Sequence, residues 1–258
     1  MLRVAYLFER FPSFGQTFCY REVAELIRQG AEVSIFSIRK PKNEPAQDWD
    51  PAVVRRVFYL PEEAELVKEV DQAIRRRELP DPAIRALKEW GRNADFLRLY
   101  DAAFVGLRLR NAGITRVHAH FAGMAARTAY WISRFFGIDF SVTAHANDIF
   151  APREFIVTLD EIFDAAAAIV TVSDFSVRQL TEQFPRAAAK IQRVYNGIDP
   201  AAFRLADFAS ESPVIISVGR LIEKKGFADL IAACAGLKQR GVHFRSEIIG
   251  EGPLEPQL

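Results

Sequence analysis

The stretch Ser217 to Phe227, SVGRLIEKKGF, followed one helix-length later by IIGEGP from Ile248 to Pro253, decides how this chain is read. An apolar run ends at Gly219-Arg220, a basic loop closes at Lys224-Lys225-Gly226, and a helical pattern follows. That order predicts a strand, a cationic loop and a helix start. A helix start offers unpaired backbone N–H groups and the positive end of the helix dipole, so with Arg220 and Lys225 it can hold a diphosphate without a metal. The chain ends at Leu258, and the unit opened at Pro213 is expected to be incomplete there.

Upstream the same grammar repeats. Strand-like runs at Arg3 to Phe8, Glu32 to Ile38, Arg116 to His120, Phe140 to Thr143, Ala168 to Val172 and Ile191 to Tyr195 alternate with helical patterns. Strand and helix in alternation predict a parallel sheet. Thr17 to Gln29 has apolar residues at Phe18, Val23, Leu26 and Ile27 and a stop at Gly30, as an amphipathic helix should. Ser173 is placed to cap a helix over Asp174 to Phe184. The expected fold class is α/β, with two Rossmann-like doubly wound domains. Residues 1-205 form the first, with a helical insertion near 61-112 of two or more helices, and 213-258 begin the second.

The chain has 258 residues, half of them hydrophobic, and a formal charge of +1, enough to bury a sizeable core. Near-neutral charge gives no general pull toward nucleic acid, so anion binding must come from local sites. Cys19 and Cys234 are far apart without CxxC spacing, which supports neither a disulfide framework nor a zinc site. MLRVAYLFER lacks the apolar core and cleavage site of a secretory signal, and the longest charge-free stretches are ten residues, short of the ~20 a membrane span needs. Cytoplasmic residence is the expectation. From Lys68 to Arg116 there are eleven Lys or Arg against seven Asp or Glu, so the insertion is basic. A solvated helical face is the plainer meaning, and peripheral contact with the inner membrane face is the alternative.

Chemistry-bearing residues gather where strands should end: Phe11 to Thr17, His118 to Phe121, His145 to Asp148, Ser173, Asn196 to Asp199, Gly219-Arg220 and Gly250 to Pro253. In open parallel sheets, ligands bind outside the carboxyl ends of strands. Seven such places in two domains predict two sheets facing each other over a cleft.

These residues resemble a family. FPSFGQTFCYREV (Phe11 to Val23) is similar to the FP-x-x-x-ETF-x-x-x-E opening of the exopolysaccharide and colanic-acid subgroup of the retaining glycosyltransferases of family 4, enzymes of the GT-B fold. RVHAHFA, SVTAHANDIF, TVSDFS, VYNGID, VGRLIEKKG and IIGEGP follow in the family's order over nearly the whole chain. The resemblance implies transfer of a sugar, with retention, from a nucleotide-sugar donor to a glycan or lipid-linked glycan acceptor, with no metal and no cofactor. It implies that Arg220 and Lys225 bind the donor diphosphate and stabilise the leaving nucleotide, a charge effect at a developing anion. His145 matches the histidine that reaches the transferred sugar, so the catalytic set is His145, Arg220 and Lys225. Gly15 and Asn196 fall on the donor side, and Gly250, Glu251 and Gly252 beside the nucleotide base and ribose. Gln16, Thr17, His120, Asn147 and Asp148 fall on the acceptor side.

Several of these positions keep a second reading. Gln16 stands where the subgroup has Glu, which removes a charge and a possible base. Asp148 can orient His145, bind acceptor or cap the next helix. Arg21 and Glu22 continue the motif or form surface pairs of the first helix. Gly250 to Gly252 and Asn196-Gly197 can be ordinary turns. The resemblance places the family's paired glutamates, E-x7-E, in a later segment that this chain ends before, so this chain alone is expected to be inactive. Two other classes stand beside the transferase. One is a metal-dependent hydrolase using His118, His120 and His145, the first two on one face of a strand. The other is a non-catalytic remnant that binds acceptor or a partner. Asp48-Trp49-Asp50 offers a metal-binding DxD in form, and a solvated turn in context.

Overall fold

A computed structural model describes residues 2–90, 95–150, 156–204 and 213–258, without the side chain of Asn147. The expected acceptor contact of Asn147 and the connector at 205–212 lie outside the described residues. The chain divides into two compact units, Met1–Ile198 and Asp199–Leu258.

The first unit is built on a seven-stranded, wholly parallel sheet. Its strands are β1 (Arg3–Arg10), β2 (Glu32–Arg39), β3 (Val57–Tyr59), β4 (Arg116–His120), β5 (Asp139–Thr143), β6 (Ala168–Thr171) and β7 (Ile191–Arg193). The spatial order is β3-β2-β1-β4-β5-β6-β7. The chain steps outward from β1 in one direction, then returns to build in the other from β4, so β1 and β4 flank the switch point where doubly wound sheets open a binding crevice. Nine helices connect the strands among the described residues: α1 (Thr17–Arg28), α2 (Pro51–Val54), α3 (Glu63–Arg75), α4 (Asp81–Glu89), α5 (Phe96–Asn111), α6 (Met124–Phe136), α7 (Ala146–Phe150), α8 (Leu159–Ala165) and α9 (Asp174–Gln183).

The period of two along each strand sorts the core. Ala5 and Leu7 of β1, Phe36 and Ile38 of β2, Val117 and Ala119 of β4, and Phe140 and Val142 of β5 enter one cluster with α5 and α6. Tyr6 and Phe8, with Val33 and Ile35, face the other way and pack under Cys19 and Val23 of α1. By the same alternation His118 and His120 share the Tyr6 face. Fully burying side chains of this size contributes about 1.5–3 kcal/mol each, so both faces of the central strands are strongly held.

The insertion resolves into α3, α4 and α5. β3 and α2 are additions to the expected elements. β3 is a three-residue edge strand, too short to show a period, and α2 is one turn begun by Pro51 and capped by Asp50. Ser173 caps α9 as expected, its Oγ accepting from Ser176 N–H at 3.1 Å.

The second unit holds β8 (Val214–Val218) and β9 (Arg245–Ile249), paired in parallel, with α10 (Phe227–Gln239) between them in sequence. Leu221 and Phe227 are buried, but Ile216 and Val218 are 59% and 72% exposed.

Candidate active site

At the carboxyl ends of β1, β4 and β5, strand register brings a polar strip together. His118 lies across from Tyr6 on one side and Ser141 on the other, and His120 lies across from Thr143. His118 Nδ1 is 2.7 Å from Ser141 Oγ and Nε2 is 2.9 Å from Thr143 Oγ1, so both ring nitrogens have partners. Burial, then the neighbouring His120, pushes the His118 pKa down to about 3. His118 is therefore a neutral, fully bonded member of the sheet face.

His120 is 1% exposed and stacks on Phe8 with ring centroids 5.2 Å apart. The ring lies next to His145, with Nδ1 3.4 Å from His145 Nε2. Its other nitrogen, Nε2, lies 3.3 Å from Glu22 Oε2 on α1. The Tyr6 hydroxyl donates to the second oxygen of Glu22 at 2.6 Å. Burial pushes the Glu22 carboxyl up, but the contact and charge of His120 and the Tyr6 hydroxyl together outweigh it and hold its pKa at about 2. Burial and the same carboxylate raise the Tyr6 phenol and the Cys19 thiol, which stay protonated.

His145 follows β5 and is 8% exposed, between the rings of Phe121 at 4.4 Å and Phe18 at 4.9 Å. Burial, then the charge of His120, lowers its pKa to about 4. At neutral pH it is an uncharged imidazole with one donor and one acceptor nitrogen. Asp148 accepts from the backbone N–H of His145 at 3.0 Å, the capping role among its three readings. Phe121 holds a left-handed φ of 70° directly after β4, a conformation uncommon outside glycine, with its N–H bonded to Thr143 O at 2.9 Å.

The loop before α1 forms a short 3-10 turn over Phe14–Gln16, anchored by Glu44, which accepts from Phe14 N–H at 2.7 Å and Ser13 Oγ at 3.1 Å. A Cβ at Gly15 would meet nothing within 4 Å, so packing does not demand glycine there. Gln16 precedes α1 without a side-chain cap bond, and Thr17 opens the helix next to Phe18. Asn196 is exposed beyond β7.

In the second unit Arg220 and Lys225 are exposed on the loop between β8 and α10. That loop is tied to the end of β9: Gly219 N–H donates to Ile249 O at 3.0 Å, Leu221 N–H to Glu251 O at 2.9 Å, and Leu254 N–H to Leu221 O at 3.1 Å. A Cβ at Gly250 would lie 1.8 Å from Gly219 O, and one at Gly252 would lie 2.4 Å from Leu221 O. Both glycines thus let two backbone segments close on each other, a demand of the fold that neither the nucleotide contact nor the ordinary turn had supplied. Glu251 between them is exposed.

The metal reading meets a specific obstacle. Among the described residues, Glu22, His118 and His120 bring ligand atoms within 4.8 Å of one another, without His145. A cation there would have to displace a hydroxyl from His118. Asp50 of the DxD caps α2, accepting from Ala52 N–H at 2.7 Å, while its own N–H donates to the Tyr20 hydroxyl at 2.6 Å. A separate cavity of about 440 Å³ lies between α3 and α5, lined by Val70, Ala73, Phe104 and Leu107. Its charged lining balances Glu65, Glu69 and Glu78 against Lys68, Arg76 and Arg108, so this part of the insertion has no net basic character. No helix among the described residues is long and apolar enough to cross a membrane.

Sequence reasoning brought His120, His145 and the α1 loop to one end of one sheet. It missed the partnership of Tyr6, Glu22, Ser141 and Thr143. A signal existed: Glu22 sits four residues after Phe18 and three after Cys19, inside the apolar stripe of α1 rather than beside it.

The sequence profile of Glycosyltransferase Family 4 matches residues 15–202. WcaL of Escherichia coli K12, a glycosyltransferase assigned to colanic acid biosynthesis, is 29% identical over 280 aligned positions that span 100% of this chain and 66% of WcaL. The amylovoran biosynthesis glycosyltransferase AmsK of Erwinia amylovora is 47% identical over 73 residues, 28% of this chain and 18% of AmsK. In fold, the chain is similar to a glycosyltransferase from Rickettsia africae, with a TM-score of 0.64 at 15% identity over 99% of this chain and 62% of that one. It is equally similar to TarM, with a TM-score of 0.64 at 8% identity over 100% of this chain and 73% of TarM. The chain spans just under two thirds of the length of WcaL. The profile covers more than half of these residues, from the α1 loop through the histidine strip to the end of β7, and this chain belongs to glycosyltransferase family 4.

Proposed function

We propose that the chain carries the acceptor-side domain and the opening of the donor-side domain of a retaining glycosyltransferase, which moves a sugar from a nucleotide-sugar to a glycan or lipid-linked glycan acceptor in cell-surface polysaccharide synthesis. The observation that carries the reading is His145, a neutral imidazole at the carboxyl end of β5, two strands from β1 and one from the switch-point strand β4. A neutral ring can exchange hydrogen bonds with a sugar hydroxyl without adding charge. Arg220 and Lys225 supply the opposite property, two cations on an exposed loop ahead of the α10 N-terminus, suited to a diphosphate and to the further negative charge that grows on it as it departs.

In this reading Gly15 gives ligand access at the α1 loop, Gln16 and Thr17 offer neutral polar contacts to an acceptor, and no metal is required because the loop cations balance the diphosphate. The likeness of this fold to TarM adds support, since Staphylococcus aureus TarM has been solved with UDP and alpha-GlcNAc-glycerol. Residence in the cytoplasm, with peripheral contact at the inner membrane face, is part of this reading. The chain spans 66% of the length of WcaL, and by itself it is proposed to transfer sugar negligibly.

Titration calorimetry of the chain with nucleotide diphosphates and nucleotide-sugars tests the assignment. Binding that Arg220→Ala weakens by about tenfold or more supports it, in keeping with the ~1.5–3 kcal/mol of a hydrogen bond to a charged group. Binding unaffected by Arg220→Ala, or glycan binding with no nucleotide binding, overturns the donor assignment and leaves a binding module.

A further inference from the structure

We infer that Glu44 to Asp50 form a strap along the start of α1, and that Glu44 is a positioning residue for Gln16 and Thr17, acting through the turn at Ser13 to Gln16. That these two side chains meet an acceptor rests on the transferase reading; the strap itself does not.

The strap is fastened at two points. At one end both oxygens of the Glu44 carboxylate are used: Oε2 accepts from Phe14 N–H at 2.7 Å and Oε1 from Ser13 Oγ at 3.1 Å. At the other end Asp50 N–H donates to the Tyr20 hydroxyl at 2.6 Å, and the Trp49 ring lies against the Tyr20 ring with centroids 4.4 Å apart. Glu44 to Asp50 and Phe14 to Tyr20 are intervals of equal length, joined at both ends in the same direction. Gln16 and Thr17 fall inside the second interval, so the strap brackets them from both sides. Beyond Asp50 the chain is held again, since Val53 of α2 is buried with Cys19 and Val23 of α1.

Local chemistry aims the carboxylate. Asn43 holds a left-handed φ of 55°, which Asn tolerates better than most residues, and turns the chain just before Glu44. Pro45 confines Glu44 to extended backbone and is itself fixed in φ. The strap has no helix or strand of its own, so these restricted dihedrals lower the entropy lost when it is held.

The turn needs such a hold. Its own bond runs from Gln16 N–H to Ser13 O at 2.9 Å, and Gln16 gives α1 no side-chain cap. Phe14 is 51% exposed, and Gly15 leaves open space, so packing does not fix the turn. Among the described residues, the hydrogen bonds that tie Ser13 and Phe14 to another segment come from Glu44.

Amide spectra and amide–water exchange of the 15N-labelled chain at pH 7 test the strap. The Phe14 amide proton should resonate downfield of its position in Glu44→Ala, the signature of a short bond to a carboxylate. In Glu44→Ala the exchange of the Phe14 and Gln16 amides should rise about tenfold or more, as loss of a hydrogen bond to a charged group allows. Glu44→Gln, which keeps an acceptor oxygen without the charge, should restore an intermediate shift and rate. Tyr20→Phe cuts the far hydrogen bond and should also speed exchange at Gln16 and Thr17. Combined with Glu44→Ala, its effect should be smaller than the product of the two single effects, since either break frees the strap. Urea midpoints close to the wild type in all variants separate release of the turn from loss of the fold. An unshifted Phe14 amide in Glu44→Ala overturns the inference. So do single effects that multiply in full, which would mean two separate surface contacts. Failure of nucleotide-sugars to bind in calorimetry would remove the proposed function and leave the strap standing, so the two ideas fail separately.

Discussion

The two units meet the same problem, placing polar groups at the end of a parallel sheet, and solve it differently. In the first, His118, His120 and His145 are buried among Tyr6, Phe8, Phe18 and Phe121, and burial holds the pKa values of His118 and His145 low. In the second, Arg220 and Lys225 are exposed on a loop whose shape is set by backbone contacts at Gly250 and Gly252. Imidazoles can be buried because neutralising them costs little near neutral pH, whereas a buried guanidinium or ammonium carries a desolvation cost of several kcal/mol. The first site is therefore buried, with uncharged His118 and His145 near the ionised Glu22, and the second is accessible and cationic.

The largest expected contrast lies in the cores beneath them. Phe8→Ala should destabilise the first unit by about 3–5 kcal/mol, as emptying a packed aromatic site does. Val218→Ala, at a residue mostly exposed on β8, should stay within about 0.5 kcal/mol. Urea unfolding of the two variants measures both, and equal losses would erase the contrast. Next in size is Gly250→Ala, where the added methyl collides with the Gly219 carbonyl. A loss of about 1–3 kcal/mol, typical of overpacking, should appear as faster amide exchange in β8 and β9 with no change in β1 or β4.

The neutral histidines make the first unit sensitive to acid. His118 and His145 have folded pKa values below the ordinary 6.5, near 3 and 4, so between pH 6 and 4 the unfolded chain binds two protons that the folded chain refuses. Stability is full above pH 6.5 and falls through this window. Asp101 acts in the opposite sense: burial outweighs its pairing with Arg98 at 3.0 Å and raises its pKa from 3.8 to about 6, so the folded state takes up one proton as pH falls. The net slope is about one proton, or about 1.4 kcal/mol per pH unit, between pH 6 and 5, and it steepens toward pH 4, where the unfolded chain also protonates Glu22 and the folded chain does not. Denaturant midpoints across that range check the slope, and a flat profile would mean that the histidines titrate normally. The smallest effect separates function from stability: Arg220→Ala, which removes an exposed cation, should leave unfolding within about 0.5 kcal/mol while weakening nucleotide diphosphate binding.

Much of this was legible in the residues because local rules were sufficient. Strands β1, β2, β4, β5, β6, β7 and β8 all start at the residue the apolar runs indicate or one before it, and α1 ends just ahead of Gly30, whose φ of 86° suits glycine. β3 escaped because three residues carry no period. In the site, spacing sufficed to place His118 and His120 on one strand face and His145 after the next strand. It was insufficient for Glu22, whose partners are 16 and 98 residues away, so that a charged residue within an apolar stripe read equally well as a surface pair.

By itself, then, the sequence determined the order of the longer strands and helices, the two clusters of polar residues at strand ends, and the family, since all of these are written in contiguous motifs and short-range periodicity. Only the tertiary structure decided that His120 is buried against His145, that Glu22 reaches it, and that Gly250 and Gly252 serve a backbone closure. Each of these depends on strand register and helix placement, which bring together groups far apart in the chain, and on burial, which sets protonation through desolvation and neighbouring charge rather than through residue type.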